Sequence, residues 1–171
     1  MLRRLIGEDI TLEWHPKAKL WNVKVDPSQI DQILANLCVN ARDAIVSNGK
    51  LIIETDNVSI NQNQLSINPD FYIGNFVRIS VTDNGSGIDK ETLSHIFEPF
   101  FTTKEIGKGT GLGLATIYGA VKQNNGFIDV QSELGKGTSF SIYFPQYIDE
   151  NNEDRSVDSE EHIPGGNETI L

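Results

Sequence analysis

Residues 76–87 read FVRISVTDNGSG, and this stretch decides the fold. Val77, Ile79 and Val81 alternate with Arg78, Ser80 and Thr82, the two-residue period of a strand with one buried face. One further step puts Asp83 on the apolar face, so a carboxylate points toward the core. Burying that group without a partner is costly. The turn itself offers one partner, because an Asp that opens a DNG turn can hydrogen-bond its own backbone. A ligand amine offers another. Gly85 and Gly87 follow and would let a flat ring approach the backbone closely.

Upstream, Leu51 to Thr55 reads as a second strand, with NQNQLSINPD (61–70) as the loop between the two. Before that strand comes a helix. Asp26 can cap it, Pro27 fits its first position, and Gln29 sits where a capping box places its polar residue. Ile30, Ile33, Leu34, Leu37, Ala41, Ala44 and Ile45 recur at helical spacing, and Asn48–Gly49 supplies the stop. Still earlier, residues 1–9 read as a helix end. Residues 10–14 and 22–25 read as a short hairpin turned at His15–Pro16, with Trp14 and Trp21 packing it.

Downstream, residues 89–97 allow a short helix, and 98–112 are rich in Gly, Thr and Lys. A second amphipathic helix carries Leu114, Ile117, Tyr118 and Val121 on one face and closes at Asn125–Gly126. Strands 127–132 and 138–144 are joined by the Gly135–Lys136–Gly137 turn. Hairpins mixed with helices, without a βαβ repeat, predict an α+β two-layer sandwich.

Composition narrows the function. The chain has 171 residues and a formal net charge of −10. The stretch from Gln146 to Leu171 holds eight acids and one base, hence −7, which leaves the first 145 residues at −3. A pI near 4.6 excludes a nucleic-acid binder held by phosphate contacts. Apolar runs fall far short of the roughly 20 residues that cross a bilayer, and no leader pattern opens the chain. These readings predict no membrane contact by this fragment and a cytoplasmic location, whatever anchors the full-length protein. The single Cys38 allows no internal disulfide and reads as a small core residue. His15, His95 and His162 form no metal or triad pattern and read as surface residues.

Two features remain. Asn36 and Asn40 are one helical turn apart, so they share a face beside the apolar stripe. As an isolated pair they need no function; as neutral oxygen donors they suit Mg²⁺. Residues 107–114, GKGTGLGL, run into the second helix, whose N-terminal amides and dipole favour an anion. The run matches neither GxxxxGK[ST] nor GxGxxG. Lys104 and Lys108 flank it as mobile point charges.

Taken in order, these segments resemble the ATP-binding catalytic domain of sensor histidine kinases, in the GHKL superfamily. The N-box is NLCVNARDA (36–44), the G1 box DNGSG (83–87), the F-box FEPFFTTK (97–104), the G2 box GTGLGL (109–114), and a last motif GKGTSF (135–140). The resemblance implies a Bergerat-type sandwich with a mixed, largely antiparallel sheet, ATP and Mg²⁺ as ligands, and transfer of the γ-phosphoryl group to a histidine. Asn40 would hold Mg²⁺ and Asn36 would support it, while Asp83 would accept the adenine amino group beside Gly85 and Gly87. Thr102, Thr103, Lys104, Gly107, Gly109, Thr110, Gly111, Leu112, Gly113 and Leu114 would surround the nucleotide. Thr138 would help near adenine, and Phe100 or Phe101 would anchor the lid or meet the partner domain. Lys104 and Lys108 would assist catalysis electrostatically.

The chain departs from the family pattern in two ways. Many members carry a Lys three residues after the Mg²⁺-binding Asn, where this chain has Asp43. Phosphate neutralisation then falls to Arg42, Lys104 or Lys108; Arg42 is turned roughly 200° from Asn40 around the helix, which favours the lysines. The phosphoacceptor histidine with its H-box is also lacking. The resemblance therefore implies a histidine-bearing dimerisation domain as a partner, with residues 1–9 as the end of its helix and 10–146 as the catalytic domain. Residues 147–171 would be an acidic linker running into a receiver domain, the second partner. Two alternatives stand beside this reading: an ATP-driven clamp of the gyrase, Hsp90 or MutL type, and a nucleotide-sensing module without phosphotransfer. The clamps place a Glu four residues before the Mg²⁺-binding Asn to activate water. This chain has Asn36 there, and an amide takes no proton at neutral pH.

Overall fold

The main helix forms where its capping signals fall. In a computed structural model that describes residues 2–46, 48–62, 71–105 and 109–149, helix α2 spans Pro27–Ala44. It follows helix α1 (Leu2–Ile6) and strand β1 (Ile10–His15). The Asp26 side chain accepts from the Ser28 amide at 2.8 Å, satisfying one of the helix's unpaired N–H groups. No capping box forms. Gln29 instead exchanges hydrogen bonds with the C-terminal end of the second long helix, accepting from Asn124 at 2.8 Å. Ile33, Leu37, Cys38 and Ala41 are buried, the stripe that the helical spacing predicts.

Five strands make one sheet in the order β1-β2-β3-β5-β4, with β2 at Gly49–Ile60, β3 at Gly74–Asp83, β4 at Phe127–Glu133 and β5 at Gly137–Pro145. β1 runs parallel to β2, and every other pair is antiparallel. The sheet is thus mixed and largely antiparallel. Short helix α3 (Lys90–Leu93) and helix α4 (Gly113–Gln123) follow β3. α2 and α4 cover one face, where Leu51, Ile53, Val81, Phe140, Ile142 and Phe144 meet Ile33, Leu37, Ile117 and Val121. Each such side chain, fully buried, contributes about 1.5–3 kcal/mol. The register sets Leu51 and Thr138 on either side of Asp83, so the end of β3 lies at the rim of this core.

Three local expectations are corrected. No hairpin joins residues 10–14 to 22–25. β1 pairs with β2, and Val23 makes a lone bridge to Gln146. Trp14 is accordingly half exposed. Helix α2 ends at Ala44, with Ile45 as its cap; Asn48 does adopt a positive φ of 46°, but as the entry to β2. Both long strands exceed their expected spans, because pairing between β2 and β3 continues to Ile60 and Gly74. There Phe71, Phe76, Phe127 and Tyr143 build a second, smaller core on the outer face of the sheet. Most of the proposed loop at 61–70 lies outside the described residues.

The closing segments follow the sequence closely. Asn125 has φ 54°, and the Gly126 amide donates to Val121 O at 2.9 Å, the left-handed stop expected of Asn–Gly. Gly135 and Gly137 have φ of 78° and 101°, as the tight β4–β5 turn requires. Among the described residues, no helix is long and apolar enough to cross a membrane.

Candidate functional site

Asp83 ends β3 with its side chain on the helix-covered face, and it is buried at 8% exposure. Its Oδ1 accepts from the Gly85 amide at 2.8 Å, so the turn partner expected of DNG exists. Burial pushes the carboxyl pKa up, and the Gly85 and Thr138 amides oppose that shift without cancelling it. The result is a buried acceptor with capacity to spare, since an ionised carboxylate can accept more than two hydrogen bonds.

The glycines of this turn are required by the protein's own packing. A Cβ at Gly85 would lie 2.8 Å from Ala44 O, and one at Gly87, where φ is +69°, would overlap the Glu133 carbonyl. With no side chains there, Ser86 N donates to Ala44 O at 2.9 Å and Gly135 N donates to Ser86 O at 2.8 Å. The turn is thereby clamped between the end of α2 and the β4–β5 hairpin. Thr138 is buried beside it. Its hydroxyl lies 2.9 Å from Ser132 Oγ, which accepts from Ile88 N at 2.8 Å and contacts Gly137 O at 3.0 Å. Sequence reasoning missed Ser132. Its parity on β4, opposite Thr138, is the one signal that could have found it.

Asn36 and Asn40 sit half-buried on α2, and among the described residues neither side-chain amide is drawn into a hydrogen bond. A Cβ at Gly113, the first residue of α4, would lie 3.8 Å from Asn36 Oδ1, so the asparagine face of α2 meets the N-terminus of α4. That terminus has no side-chain cap, which leaves its first amides open to an anion. Leu112, the cap residue, is exposed, while Leu114 packs on the core. Thr110 Oγ1 accepts from Leu112 N at 3.3 Å.

The F-box divides its aromatic residues. Phe97 packs on Tyr118 in a tilted pair, ring centroids 5.2 Å apart, and joins the core. Phe101 rests against His95 at 5.7 Å. Phe100 is 73% exposed and holds φ +68°, its amide donating to Gly111 O at 2.9 Å; a Cβ at Gly111 would overlap the Phe100 backbone. At Phe100 and Gly111, F-box and G2 box therefore touch through main chain. Thr102 Oγ1 accepts from Lys104 N at 3.2 Å and faces Gly109, and Thr103 is exposed. Gly107 and Lys108 lie outside the described residues.

Arg42 is committed elsewhere. Its Nε and Nη2 donate to Asp43 Oδ1 at 3.0 and 2.7 Å, and Nη1 donates to Leu5 O on α1 at 3.0 Å. Lys104 Nζ reaches Asp43 Oδ2 at 2.6 Å, a pairing that the sequence did not announce. A concavity of about 310 Å³ runs past Asp83, Ser132 and Thr138. A larger one, about 630 Å³, lies at the opposite end near Lys24, Gln29 and Tyr147. The buried Asp83 carboxylate, the Asn36 and Asn40 amides and the uncapped start of α4 all lie away from that larger cavity.

Residues 25–148 match the sequence family described as histidine kinase-, DNA gyrase B- and HSP90-like ATPases. The chain belongs to that family. It is similar to the sensor kinase CckA of Brucella abortus (strain 2308), with 46% identity over 154 residues that cover 90% of this chain and 16% of the relative. It is also similar to the sensor histidine kinase ZraS of Escherichia coli (strain K12), with 37% identity over 83% of this chain and 27% of the relative. The chain thus spans about a sixth to a quarter of the length of these curated relatives. Among solved structures, the catalytic domain of the histidine kinase ThkA superposes with a TM-score of 0.62 at 30% identity, covering 85% of this chain and 84% of that one. The expected two-layer α+β sandwich of this family is the observed fold.

Proposed function

We propose that this chain is the ATP-binding catalytic domain of a two-component sensor histidine kinase. It transfers the γ-phosphoryl group of ATP to a histidine on a separate dimerisation domain, for relay to a receiver aspartate. The observation that carries this reading is the buried Asp83 carboxylate, held by the Gly85 amide at 2.8 Å with acceptor capacity left for a ligand amine. A purine amino group supplies that donor.

The other residues divide the remaining work. Asn40, whose amide oxygen has no partner among the described residues, suits Mg²⁺, which takes oxygen ligands and keeps several waters; Asn36 supports it from the same face. Bound there, Mg²⁺ supplies charge neutralisation at the phosphates. The uncapped start of α4 at Gly113 and Leu114, with Gly109, Thr110, Gly111 and Leu112 before it, offers amides to the same anionic groups. Lys104 adds a mobile positive charge, and Lys108 is assigned beside it from the sequence. Thr102 and Thr103 border the phosphates, and Thr138, fixed by Ser132, borders the adenine. Catalysis of this kind is mostly positioning and electrostatics, which needs no nucleophile from this chain. Asn36 stands where a water-activating Glu would be needed, which favours transfer to a partner over hydrolysis by a clamp. The dimerisation domain and a receiver domain are the proposed partners, in a cytoplasmic setting.

The test is reconstitution. The chain is mixed with a separately produced dimerisation domain bearing the histidine, Mg²⁺ and γ-labelled ATP. Acid-labile label on that histidine is expected, with none on this chain alone. A mixture that binds Mg·ATP yet leaves every histidine unlabelled overturns the kinase reading in favour of a nucleotide-sensing module.

A further inference from the structure

Asp43 follows Asn40 by three residues on α2, so the two are neighbours on one side of the helix. It has two cationic partners. Lys104 Nζ donates to Oδ2 at 2.6 Å, and Arg42 grips Oδ1 through two nitrogens at 3.0 and 2.7 Å. Burial acts to raise the Asp43 pKa, but the hydrogen bonds and charges of Lys104 and Arg42 outweigh it and hold the carboxyl below its ordinary range. Lys104 is fixed along its length as well. Its amide donates to Thr102 Oγ1 at 3.2 Å, and its stem runs beside Gly109, where a Cβ would come within 3.1 Å of Cδ. The lysine of the F-box thus passes the first glycine of the G2 box and ends on α2, one turn from Asn40.

Resting on the ATP-site reading above, we propose that Asp43 is a positioning residue that competes with the phosphates of the nucleotide for Lys104. While the pair is intact, the carboxylate neutralises the ammonium, and the phosphates meet no net charge there. Polyphosphate, carrying more negative charge than one carboxylate, wins the exchange. Arg42 makes the exchange inexpensive, because Asp43 keeps a two-pronged partner after Lys104 departs and no carboxylate is left uncompensated. Arg42 itself is anchored on Leu5 O at 3.0 Å and does not follow the lysine. Ligands without phosphates have nothing to exchange. The pair therefore acts on ATP and not on the nucleoside.

Partly exposed ion pairs of this kind are worth about 0.2–1 kcal/mol, so releasing Lys104 should tighten ATP binding about 1.5- to 5-fold at low ionic strength. The experiment is calorimetric titration of the full chain and of Asp43→Asn, Lys104→Met and the double variant, with Mg·ATP and with adenosine. Thermal melts check that each variant folds. Asp43→Asn is expected to bind ATP more tightly and adenosine unchanged, and its gain is expected to shrink when Lys104 is already Met. An equal gain in both backgrounds means that Asp43 merely repels phosphate, and it overturns the proposal. So does weaker ATP binding by a folded Asp43→Asn. If the unaltered chain binds neither ATP nor adenosine, the site reading fails, and the competition proposal fails with it.

Discussion

Replacing Asp83 by Asn separates what the carboxylate costs the fold from what it gives a ligand. Asn keeps an acceptor oxygen for the Gly85 amide, which now donates to Oδ1 at 2.8 Å, so the turn should survive. It cannot offer a charged acceptor to an incoming amine. A hydrogen bond to a charged group is worth about 1.5–3 kcal/mol, so ATP affinity should fall about 10- to 150-fold. Stability should move the other way. Because burial raises the folded-state pKa of Asp83, the native state binds its proton more tightly than the unfolded chain does. The contribution of this group is fully present at pH values below the ordinary carboxylate pKa of 3.8 and is lost as pH rises through the folded value. Asn does not titrate. The stability of Asp83→Asn relative to the unaltered chain should therefore increase with pH from the acid range toward neutrality. Calorimetric titration with ATP and thermal melts across pH measure the two effects on the same samples. An affinity within twofold of the unaltered chain refutes the adenine assignment. A stability of Asp83→Asn relative to the unaltered chain that falls with rising pH refutes the desolvation argument.

Four further outcomes follow from the same geometry. Asn40→Ala should leave ATP binding in EDTA unchanged and abolish the gain on adding Mg²⁺; titration with and without the metal reads this directly. Gly87→Ala should lower stability by more than about 2 kcal/mol in urea unfolding, because the left-handed conformation costs about 1–2 kcal/mol for an L-residue and the Glu133 backbone stands in the way. The Cys38 thiol, fully buried and pushed up to about 11, should resist iodoacetamide at pH 8 until urea unfolds the chain. Cys38→Ser should cost about 1–3 kcal/mol, because its hydroxyl would lack a partner.

Much of the structure was legible because local chemistry and tertiary packing agreed. The α2 stripe, the inward step at Asp83 and the Asn125–Gly126 stop each combine a spacing rule with a residue suited to it. The failures share a physical cause. β1 pairs with β2 across the whole of α2, and nothing in a six-residue strand announces a partner so far along the chain. Gln29 had the right position for a capping box, but Asn124 offered it a better hydrogen bond across the helix pair. The outer aromatic core escaped notice because alternation reports that a strand has two faces, not that both are covered at one end. The site motifs were found through their resemblance to a family. What the sequence concealed was the pairing of those motifs with each other. Lys104 on Asp43 is a contact across 61 residues, and Ser132 on Thr138 crosses the β4–β5 hairpin; the residues are unremarkable alone.

Ile6, on the short helix α1, is 2% exposed and belongs to the main core, and Arg42 grips the Leu5 carbonyl just before it. Residues 1–9, which the family resemblance sets apart as the end of another domain's helix, therefore share buried contacts with the main core. α1 is a handle set into the wall of the vessel. A torque applied upstream of Leu2 would be felt first as a load on the side chains beneath α2, within a turn or two of the asparagines, before any loop could absorb it. Trimming the chain at residue 10 would remove a plug from the hydrophobic interior. The tolerance of the fold to such trimming then measures how firmly that handle is fixed.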